Sequence, residues 1–409
     1  MCTIWGALPT FAHMDPVYLD NAATTALDPR VLQVMHPYLC SCFGNANSAH
    51  QLGREASVAV EQAREKVAEL IGAEPSEIVF TSGGTESDNA AIKGIFDLAS
   101  RRGKTNVITS PIEHHAVLHS VENLKRQGGV PIYLKPDPQG RITAEQVDAA
   151  IDDRTALVSL MHVNNEIGTI LPLEEIAEVC RTRGVPFMSD TVQSFGKLPI
   201  HAGNSGADLL SMSAHKIHGP KGCGFLYVRK SCPWMPWMHG GSQERRRRGG
   251  TLNVRGVVGL AKALELALAE REQTQDRMDL LRDRLLNGLE SAMGGRFRLN
   301  GCPTEGVPHI VNISLLNPEG KGVDGEMLLL NLDIENFCVS NGSACTSGAM
   351  EPSHVLLGIG LEPEIANSSV RISMGRENTL EQMDRIVEAL GRVMGRMREA
   401  AGDSGSQTA

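Results

Sequence analysis

Short apolar runs alternate with amphipathic stretches along the first half of the chain. Residues 54–71 place apolar side chains at helical spacing and end at Gly72, which predicts a helix. From residue 78 onward, short apolar runs are separated mainly by segments with helical spacing. The runs are IVFT at 78–81, NVIT at 106–109, VPIYL at 130–134, ALVSL at 156–160, VPFMSD at 185–190, and the two that flank Lys216. This alternation predicts an α/β domain with a mostly parallel sheet.

The second half of the chain has a different pattern. Residues 253–293 contain one long helical segment, and strands and helices are mixed after it. Because 409 residues is long for one core, we expect two domains. The predicted organisation is a disordered extension at 1–13 that precedes a start at Met14, a large domain at 26–270, a small α+β domain built from 14–25 and 271–401, and a disordered tail at 402–409.

Composition and charge exclude several classes of protein. The formal net charge is −9, which argues against non-specific nucleic-acid binding. No run of 18 apolar residues is present and the N-terminus does not resemble a signal peptide, so no membrane segment is expected. The nine cysteines form no CxxC pair, which argues against both a disulfide framework and a zinc site. We therefore expect a cytoplasmic protein with reduced thiols and no bound metal.

The segment SMSAHKIHGPKG, at 211–222, lies between two predicted strands. It places a hydroxyl (Ser213), an imidazole (His215) and an amine (Lys216) within a few residues of one another. A partly desolvated lysine loses its proton more readily, and its amine can form a Schiff base with an aldehyde cofactor. Ser213 and His215 would suit the phosphate of such a cofactor. Any one lysine is more often simply solvated, so this hypothesis needs support from elsewhere in the chain.

Two further motifs give that support. TSGGTES at 81–87 joins a strand to a helix, so its glycines, its helix N-terminus and Thr85 suit a phosphate. An ordinary helix cap is the alternative, and the pattern is not the GxGxxG of nicotinamide-binding proteins. Asp190 ends a buried strand, where a carboxylate needs a cationic partner such as the pyridinium nitrogen of pyridoxal phosphate. Gln193 is close enough to reach the ring hydroxyl, although a helix cap would also explain Asp190.

Taken together, the motifs resemble those of the cysteine desulfurases in order and spacing. The similarity covers about residues 17–393, nearly the whole chain. The matching motifs are YLDNAATT (18–25), TSGGTES (81–87), EHHAVL (113–118), MHVNNEIG (161–168), SDTVQSFGKLPI (189–200), SAHKIHGPKG (213–222), GGTLNV (249–254) and NGSACTSG (341–348). The most similar subgroup has a long, mobile cysteine loop and supplies sulfur for iron–sulfur clusters and thiolated products.

The resemblance implies a fold, a cofactor and partners. The fold would be that of the fold-type I pyridoxal-phosphate-dependent transferases, with a mostly parallel seven-stranded sheet in the large domain and a mobile cysteine loop at 341–352 in the small one. The cofactor would be pyridoxal 5'-phosphate, bound at the interface of a homodimer. The substrate would be L-cysteine, which is converted to L-alanine. An iron–sulfur scaffold or another protein would accept the sulfur.

The resemblance also implies roles for individual residues. Lys216 matches the lysine that binds the cofactor, His114 matches the imidazole that stacks on its ring and assists proton transfer, and Cys345 matches the cysteine that receives sulfur as a persulfide. The other matches are to ring contacts (Asp190, Asn165, Gln193), to the phosphate cup (Gly84, Thr85, Ser213, His215, and Thr251 from the other subunit), and to groups that hold the substrate carboxylate (Asn47, Asn165, Arg371).

A few positions depart from the family pattern. Ala214 stands where glycine is frequent, and Thr191 and Val192 replace a small pair, which we interpret as packing changes. The arginine run at 245–248 is interpreted as a solvated face, with a role near the cofactor phosphate or an anionic partner as the sharper alternative. Cys338 is predicted to be a buried strand residue.

Three other functions fit parts of the pattern. A selenocysteine lyase is the nearest alternative, but the NGSACTSG loop favours a desulfurase because a thiol acceptor is needed for persulfide transfer. A simple aminotransferase would not need Cys345. A catalytically inactive scaffold would not need the set of Lys216, Asp190, His114 and Cys345.

Overall fold

The computed structural model describes residues 16–342 and 351–400, with the backbone alone at Ala400. The strands, in chain order, are β1 (Val17–Tyr18), β2 (Ile78–Thr81), β3 (Asn106–Thr109), β4 (Val130–Tyr133), β5 (Thr155–Ser159), β6 (Phe187–Asp190), β7 (Leu209–Ser213), β8 (Gly224–Val228), β9 (Phe297–Asn300), β10 (Ile310–Leu315), β11 (Phe337–Cys338) and β12 (Ser369–Ser373). The helices are α1 (Pro29–Cys40), α2 (Gln51–Ile71), α3 (Gly84–Ser100), α4 (His115–Leu124), α5 (Ala144–Ala150), α6 (Leu173–Arg183), α7 (Val254–Ala269), α8 (Arg271–Met293), α9 (Gly325–Ile334), α10 (His354–Gly358), α11 (Pro363–Asn367) and α12 (Leu380–Ala400).

The large sheet confirms the predicted architecture. Within the described ranges it has seven strands in the order β2-β8-β7-β6-β5-β3-β4. Strand β8 runs antiparallel to both of its neighbours, and the other pairings are parallel. Successive residues of one strand point to opposite faces of the sheet and belong to different apolar clusters. In β7, for example, Leu209 belongs to one cluster and Leu210 to another. Both faces of the sheet are therefore covered, which is why its strands read as continuous apolar runs.

A second group of elements has its own core. Strands β9, β10 and β12 form a three-stranded antiparallel sheet, and β1 pairs in parallel with β11. Their apolar side chains pack with those of α8 and α12. The separate core is consistent with an α+β unit, and the division at 26–270 and 271–401 stays a prediction. No helix within the described ranges is long and apolar enough to cross a membrane.

The helical segment predicted as one unit at 253–293 is two helices. Helix α7 ends at Ala269 and α8 begins at Arg271, with Glu270 in a non-helical conformation between them. Apolar residues of α7 join the core of the large sheet, whereas those of α8 join the second core. The segment therefore forms two helices because its two halves pack against different cores, although the residues on both sides of Glu270 favour a helix. The hydrophobic pattern also does not predict α1, which Asp28 caps by accepting a hydrogen bond from the Arg30 amide.

The carboxyl ends of the parallel strands meet at one edge of the large sheet. Asp190 is the last residue of β6 and Ser213 the last of β7. Strand β2 is antiparallel to β8, which is antiparallel to β7, so β2 also ends at this edge. Sequence-distant motifs are thus brought together where open α/β sheets bind ligands.

Candidate active site

A cavity of about 430 Å³ lies at this edge of the sheet. It is lined by Gly84, Thr85, His114, Asn165, Asp190, Gln193, Ser213, His215, Lys216 and Arg371, which the sequence predicts for the site, and also by residues such as Ala22 and Asp88. Two predicted site residues, Asn47 and Thr251, are exposed and absent from the described lining. Cys345 lies outside the described residues. The tertiary structure therefore gathers ten of the predicted residues around one space.

Lys216 ends a short 3₁₀ turn that directly follows β7. Its ammonium donates hydrogen bonds to the carbonyl oxygens of Ala22 and Ala23, at 2.6 and 2.8 Å. Burial, together with the Arg371 cation, lowers the pKa of Lys216 to about 8 against the attraction of the Asp190 carboxylate. A larger fraction of this amine is unprotonated at neutral pH than for an ordinary lysine, so it is suited to nucleophilic attack.

Asp190 is buried at the end of β6, with 7% of its surface exposed. Its Oδ1 accepts a hydrogen bond from the Val192 amide at 2.9 Å and a longer one from the Ser211 hydroxyl at 3.5 Å. The carboxylate therefore does cap the following turn, as the simpler interpretation requires. Both contacts use the same oxygen, however, which leaves Oδ2 for a cation in the cavity.

His114 caps α4 and reaches into the cavity. Its Nδ1 accepts a hydrogen bond from the Ala116 amide at 3.1 Å, so the proton of the neutral ring is on Nε2. Burial lowers the pKa of His114, and the Lys216 cation adds to this against the Asp190 carboxylate. The ring is therefore neutral at pH 7 and offers an Nε2–H donor.

The start of α3 and the end of β7 form a polar cup. Gly83, with φ 146°, precedes α3, and a side chain built on it would come within 3.4 Å of the Ser213 hydroxyl. A Cβ on Gly84 would lie 2.6 Å from a methyl of Val192, so the unusual valine packs directly against this glycine. First-turn amides of a helix have no intrahelical partner and favour anions. The cup suits a phosphate.

Arg371 lies on β12 and is almost fully buried. Its guanidinium donates to Asp20 Oδ1 and to the carbonyl of Asn165, both at 2.8 Å. Its Nε and the Oδ1 of Asn165 have no hydrogen-bond partner among the described residues. Buried polar atoms are normally satisfied, so this unpaired donor and acceptor indicate that a ligand supplies the missing contacts.

Four titratable groups near the cavity were not predicted: Asp88, Glu113 and Glu166, which are buried, and Lys197, which is half-buried. Burial raises the pKa of Glu113 to about 8 and of Glu166 to about 7, and it lowers that of Lys197 to about 7. The sequence contained a signal for each of these four residues, namely its short distance along the chain from a predicted site residue. Glu113 and Glu166 directly adjoin His114 and Asn165, while Asp88 and Lys197 follow Thr85 and Gln193 by three and four residues, the spacing of a helix face.

The arginine run at 245–248 is the predicted solvated face only in part, because Arg245 and Arg246 are exposed whereas Arg247 and Arg248 are half-buried. Arg248 pairs with Glu86 in the first turn of α3, at 2.7 and 3.0 Å, and Arg245 pairs with Glu61. Arg247 donates to the carbonyl of Ser76. Ion pairs therefore account for Arg245 and Arg248, and the Arg248 pair is the more buried of the two. Cys338 also differs from the prediction, since it lies in β11 but is only partly buried.

Comparison with known proteins identifies the class. Residues 17–386 match the model of the family described as aminotransferase class-V. The chain is 46% identical over 382 residues to the cysteine desulfurase IscS of Methanosarcina thermophila, with 93% of each chain covered. It is 45% identical over 385 residues to the putative cysteine desulfurase IscS 1 of Bacillus subtilis, covering 94% of this chain and 100% of that one.

Solved structures show the same relationship. A NifS-like protein superposes with a TM-score of 0.86 at 37% identity, covering 93% of this chain and 100% of the other. A protein described as SspA in complex with cysteine gives 0.76 at 37% identity, covering 88% and 98%. The chain therefore belongs to the class-V aminotransferase family and, within it, to the cysteine desulfurases. The predicted family and fold are confirmed.

Pyridoxal 5'-phosphate is the general cofactor of this family, and the cavity fits it. Lys216 offers an amine of lowered pKa for the aldehyde. Asp190 leaves one carboxylate oxygen for a pyridinium nitrogen, and Asn165 has an unpaired Oδ1. The cup at Gly84 and Ser213 suits the phosphate. When bound, this cofactor withdraws electrons from the substrate carbon that is attached to it.

Proposed function

We propose that this protein converts L-cysteine to L-alanine and transfers the sulfur to Cys345 as a persulfide. The observation that carries the proposal is the convergence of Lys216, His114, Asp190 and Arg371 on one cavity. The carbon–sulfur bond of the substrate breaks, and a sulfur–sulfur bond forms with Cys345. The substrate carbon gains the hydrogen that the reacting thiols release, so no external oxidant or reductant is needed.

Arg371, Lys216 and His114 each have a different proposed role, according to their position in the cavity. Arg371 has an unpaired Nε and a full positive charge, which suit the carboxylate of cysteine. Lys216, with its pKa of about 8, can both accept and return a proton at neutral pH. His114 presents a neutral ring with Nε2–H, which can exchange a proton with the substrate sulfur.

Cys345 is the proposed sulfur acceptor because of its place in the chain. Gly342 lines the cavity, and Cys345 follows it by only three residues. A thiolate attacks the substrate sulfur as thiolates attack disulfides. The resulting persulfide would pass to an iron–sulfur scaffold or another acceptor protein. The described cysteines are all unpaired, which supports a reducing cytoplasmic setting.

We also propose a homodimer whose interface completes each site. Thr251 is exposed and lines no part of its own cavity, as expected for a residue that acts on the neighbouring subunit. Large apolar side chains are unusually exposed on α1, α2 and the loop between them, namely Leu32, Leu39, Phe43, Leu52 and Val58. Phe43 is 72% exposed, and such patches are typical of interfaces.

The decisive test locates the cofactor and the sulfur. Borohydride reduction followed by peptide mapping should place a pyridoxyl group on Lys216. After one turnover without reductant, alkylation should trap the persulfide on Cys345. Cys345→Ala should keep the cofactor and bind cysteine but release no sulfide, while the matched Cys338→Ala should behave as wild type.

Trapped sulfur on Cys338 or Cys42 would contradict the proposal. Turnover of selenocysteine but not of cysteine would instead favour a selenocysteine lyase, and release of a keto acid would indicate an aminotransferase.

A further inference from the structure

Lys197 is a half-buried lysine that the proposed mechanism does not use. It follows Gln193 by four residues in a turn with helical hydrogen bonds, such as the one from the Phe195 amide to the carbonyl of Thr191, so the two side chains share a face. Lys197 Nζ donates a hydrogen bond to Gln193 Oε1 at 3.0 Å and lies 3.3 Å from Nε2 of His309. Among the described residues that line the 430 Å³ cavity, Gln193 is present and Lys197 is not. Lys197 can therefore act on that cavity only through Gln193 or through its charge.

Two partners fix the orientation of the Gln193 amide. Its Nε2 donates to the carbonyl of Ala22 at 2.9 Å, and its Oε1 accepts from Lys197. An amide keeps nearly the same shape when its oxygen and nitrogen are exchanged, so its hydrogen-bond partners decide between the two orientations. A carbonyl can only accept and an ammonium can only donate. The reversed amide would set its oxygen against the Ala22 oxygen and its N–H groups against the Lys197 ammonium.

The fixed orientation makes an N–H donor available to the cavity. The amide nitrogen carries two hydrogens and Ala22 takes one of them, while the second has no partner among the described residues. Gln193 lines the cavity with only 3% of its surface exposed. The Ala22 carbonyl also accepts from Lys216 at 2.6 Å, so the amide of Gln193 and the amine of Lys216 share one acceptor.

The shared acceptor matters because of the chemistry of the cofactor. In pyridoxal phosphate the ring hydroxyl is adjacent to the aldehyde. A cofactor whose aldehyde meets Lys216 therefore has a hydroxyl oxygen that suits the neighbouring N–H of Gln193. The Lys197 charge on Oε1 polarises the amide and strengthens this donor.

We propose that Lys197 is a positioning residue that holds Gln193 Oε1 and thereby keeps the amide nitrogen available to the cavity. Its effect on cofactor binding rests on the proposed function, whereas the orientation of the amide does not. Burial lowers the pKa of Lys197 to about 7, but a neutral amine keeps N–H groups and so holds Oε1 in either state. A side chain that only filled space could be replaced by an apolar one of similar length, whereas a donor could not.

A double-mutant cycle separates these roles. Lys197→Met keeps the length of the side chain without its donor, and Gln193→Ala removes the amide. Each should weaken the binding of pyridoxal phosphate to the apo-protein about tenfold, the size of one hydrogen bond. In the Gln193→Ala background, Lys197→Met should change the affinity by less than about twofold, because it no longer has an amide to position. Lys230→Met is the control, since Lys230 is exposed and pairs with Glu74, and it should bind the cofactor as wild type does.

The amide itself can be observed without the cofactor. In apo-protein that carries ¹⁵N in the side-chain amides of glutamine, the NMR signal of Gln193 is the one lost in Gln193→Ala. We expect this signal to shift in Lys197→Met and its hydrogens to exchange with water at least about tenfold faster, because the amide is no longer held. Lys230→Met should leave it unchanged. If Lys197→Met does not fold, a neutron structure of the wild-type protein should show the amide hydrogens on the side of Ala22.

Three results would overturn the proposal. The first is a Gln193 signal that Lys197→Met leaves unchanged, and the second is a neutron structure with the amide reversed. The third is an equal loss of affinity on Lys197→Met with and without Gln193, which would mean that Lys197 acts through its charge alone. Failure of the wild-type protein to bind pyridoxal phosphate would contradict the proposed function, and the NMR signal would still decide whether Lys197 holds the amide.

Discussion

Arg64 of α2 and Glu244 form a buried, two-pronged ion pair, with nitrogen–oxygen distances of 2.8 and 2.6 Å. Glu244 also accepts a hydrogen bond from the Phe80 amide of β2, so it ties the segment before Thr251 to both elements. Residues 244–246 all have positive φ, a conformation that side chains other than glycine rarely adopt. This contact is needed to hold that strained turn in place.

We expect Glu244→Gln to lower the free energy of unfolding by about 3 kcal/mol, because it breaks a buried ion pair and leaves Arg64 with only the exposed Glu61 carboxylate as a partner. Urea denaturation should show the loss as a lower midpoint with an unchanged slope. The matched control is Glu69→Gln, which breaks the exposed Lys66–Glu69 pair of the same helix and should cost less than about 1 kcal/mol. An equal effect of the two substitutions would contradict a structural role for the buried pair.

The lowered pKa of Lys216 predicts how the apo-protein takes up its cofactor. Only the unprotonated amine attacks an aldehyde, so the rate of pyridoxal phosphate uptake should rise with pH with a midpoint near pH 8 and level off above it. The rate for an ordinary lysine would continue to rise in that range. Arg371→Gln removes a nearby cation, which should raise the Lys216 pKa and move the midpoint to higher pH. Stopped-flow absorbance measures the rate.

Arg298→Gln is the control, since Arg298 is exposed on β9 of the same sheet. A midpoint that stays in place with Arg371→Gln would show that the Arg371 charge does not reach Lys216.

Loss of the Asp190 carboxylate should affect chemistry more than folding. We expect Asp190→Ala to reduce the rate of alanine formation by at least about a hundredfold, equal to about 2.7 kcal/mol of activation free energy, because the cofactor nitrogen loses its anionic partner. Circular dichroism should show a retained fold. Asp97→Ala, in an exposed pair on α3, should leave the rate unchanged. Near-normal turnover of Asp190→Ala would mean that this carboxylate is only a cap.

The proposed dimer predicts complementation between two inactive variants. If Thr251 serves the neighbouring site, a mixed dimer of Lys216→Ala and Thr251→Ala contains one site that lacks both residues and one that lacks neither. Subunit exchange should then restore about a quarter of wild-type activity, because half of the dimers are mixed and each has one working site. Lys216→Ala mixed with Asp190→Ala should stay inactive, since these residues line the same cavity. No recovery in the first mixture would rule out the shared site.

The sequence alone was sufficient to predict the features that depend on the order of residues along the chain, namely the large sheet, the edge that carries the site and the family. Alternation of apolar runs and helical segments predicts the large sheet, because each run must be covered by the helices next to it. The predicted strand ends then indicate that Asp190 and Lys216 lie close together, since parallel strands have their carboxyl ends at the same edge of a sheet. Motif order along the chain was sufficient to indicate the family that the comparisons confirm.

Tertiary structure decided what depends on distant neighbours. Helical spacing continues across Glu270, yet the helix breaks there because α7 and α8 pack into different cores. The sequence does not indicate the partners of Arg245 and Arg248, because Glu61 and Glu86 reach them only through folding. Asp88 shows the same dependence, because its burial and the nearby Asp190 carboxylate, about a hundred residues away, raise its pKa. Burial and electrostatic pairing arise from proximity in space, which order along the chain does not specify.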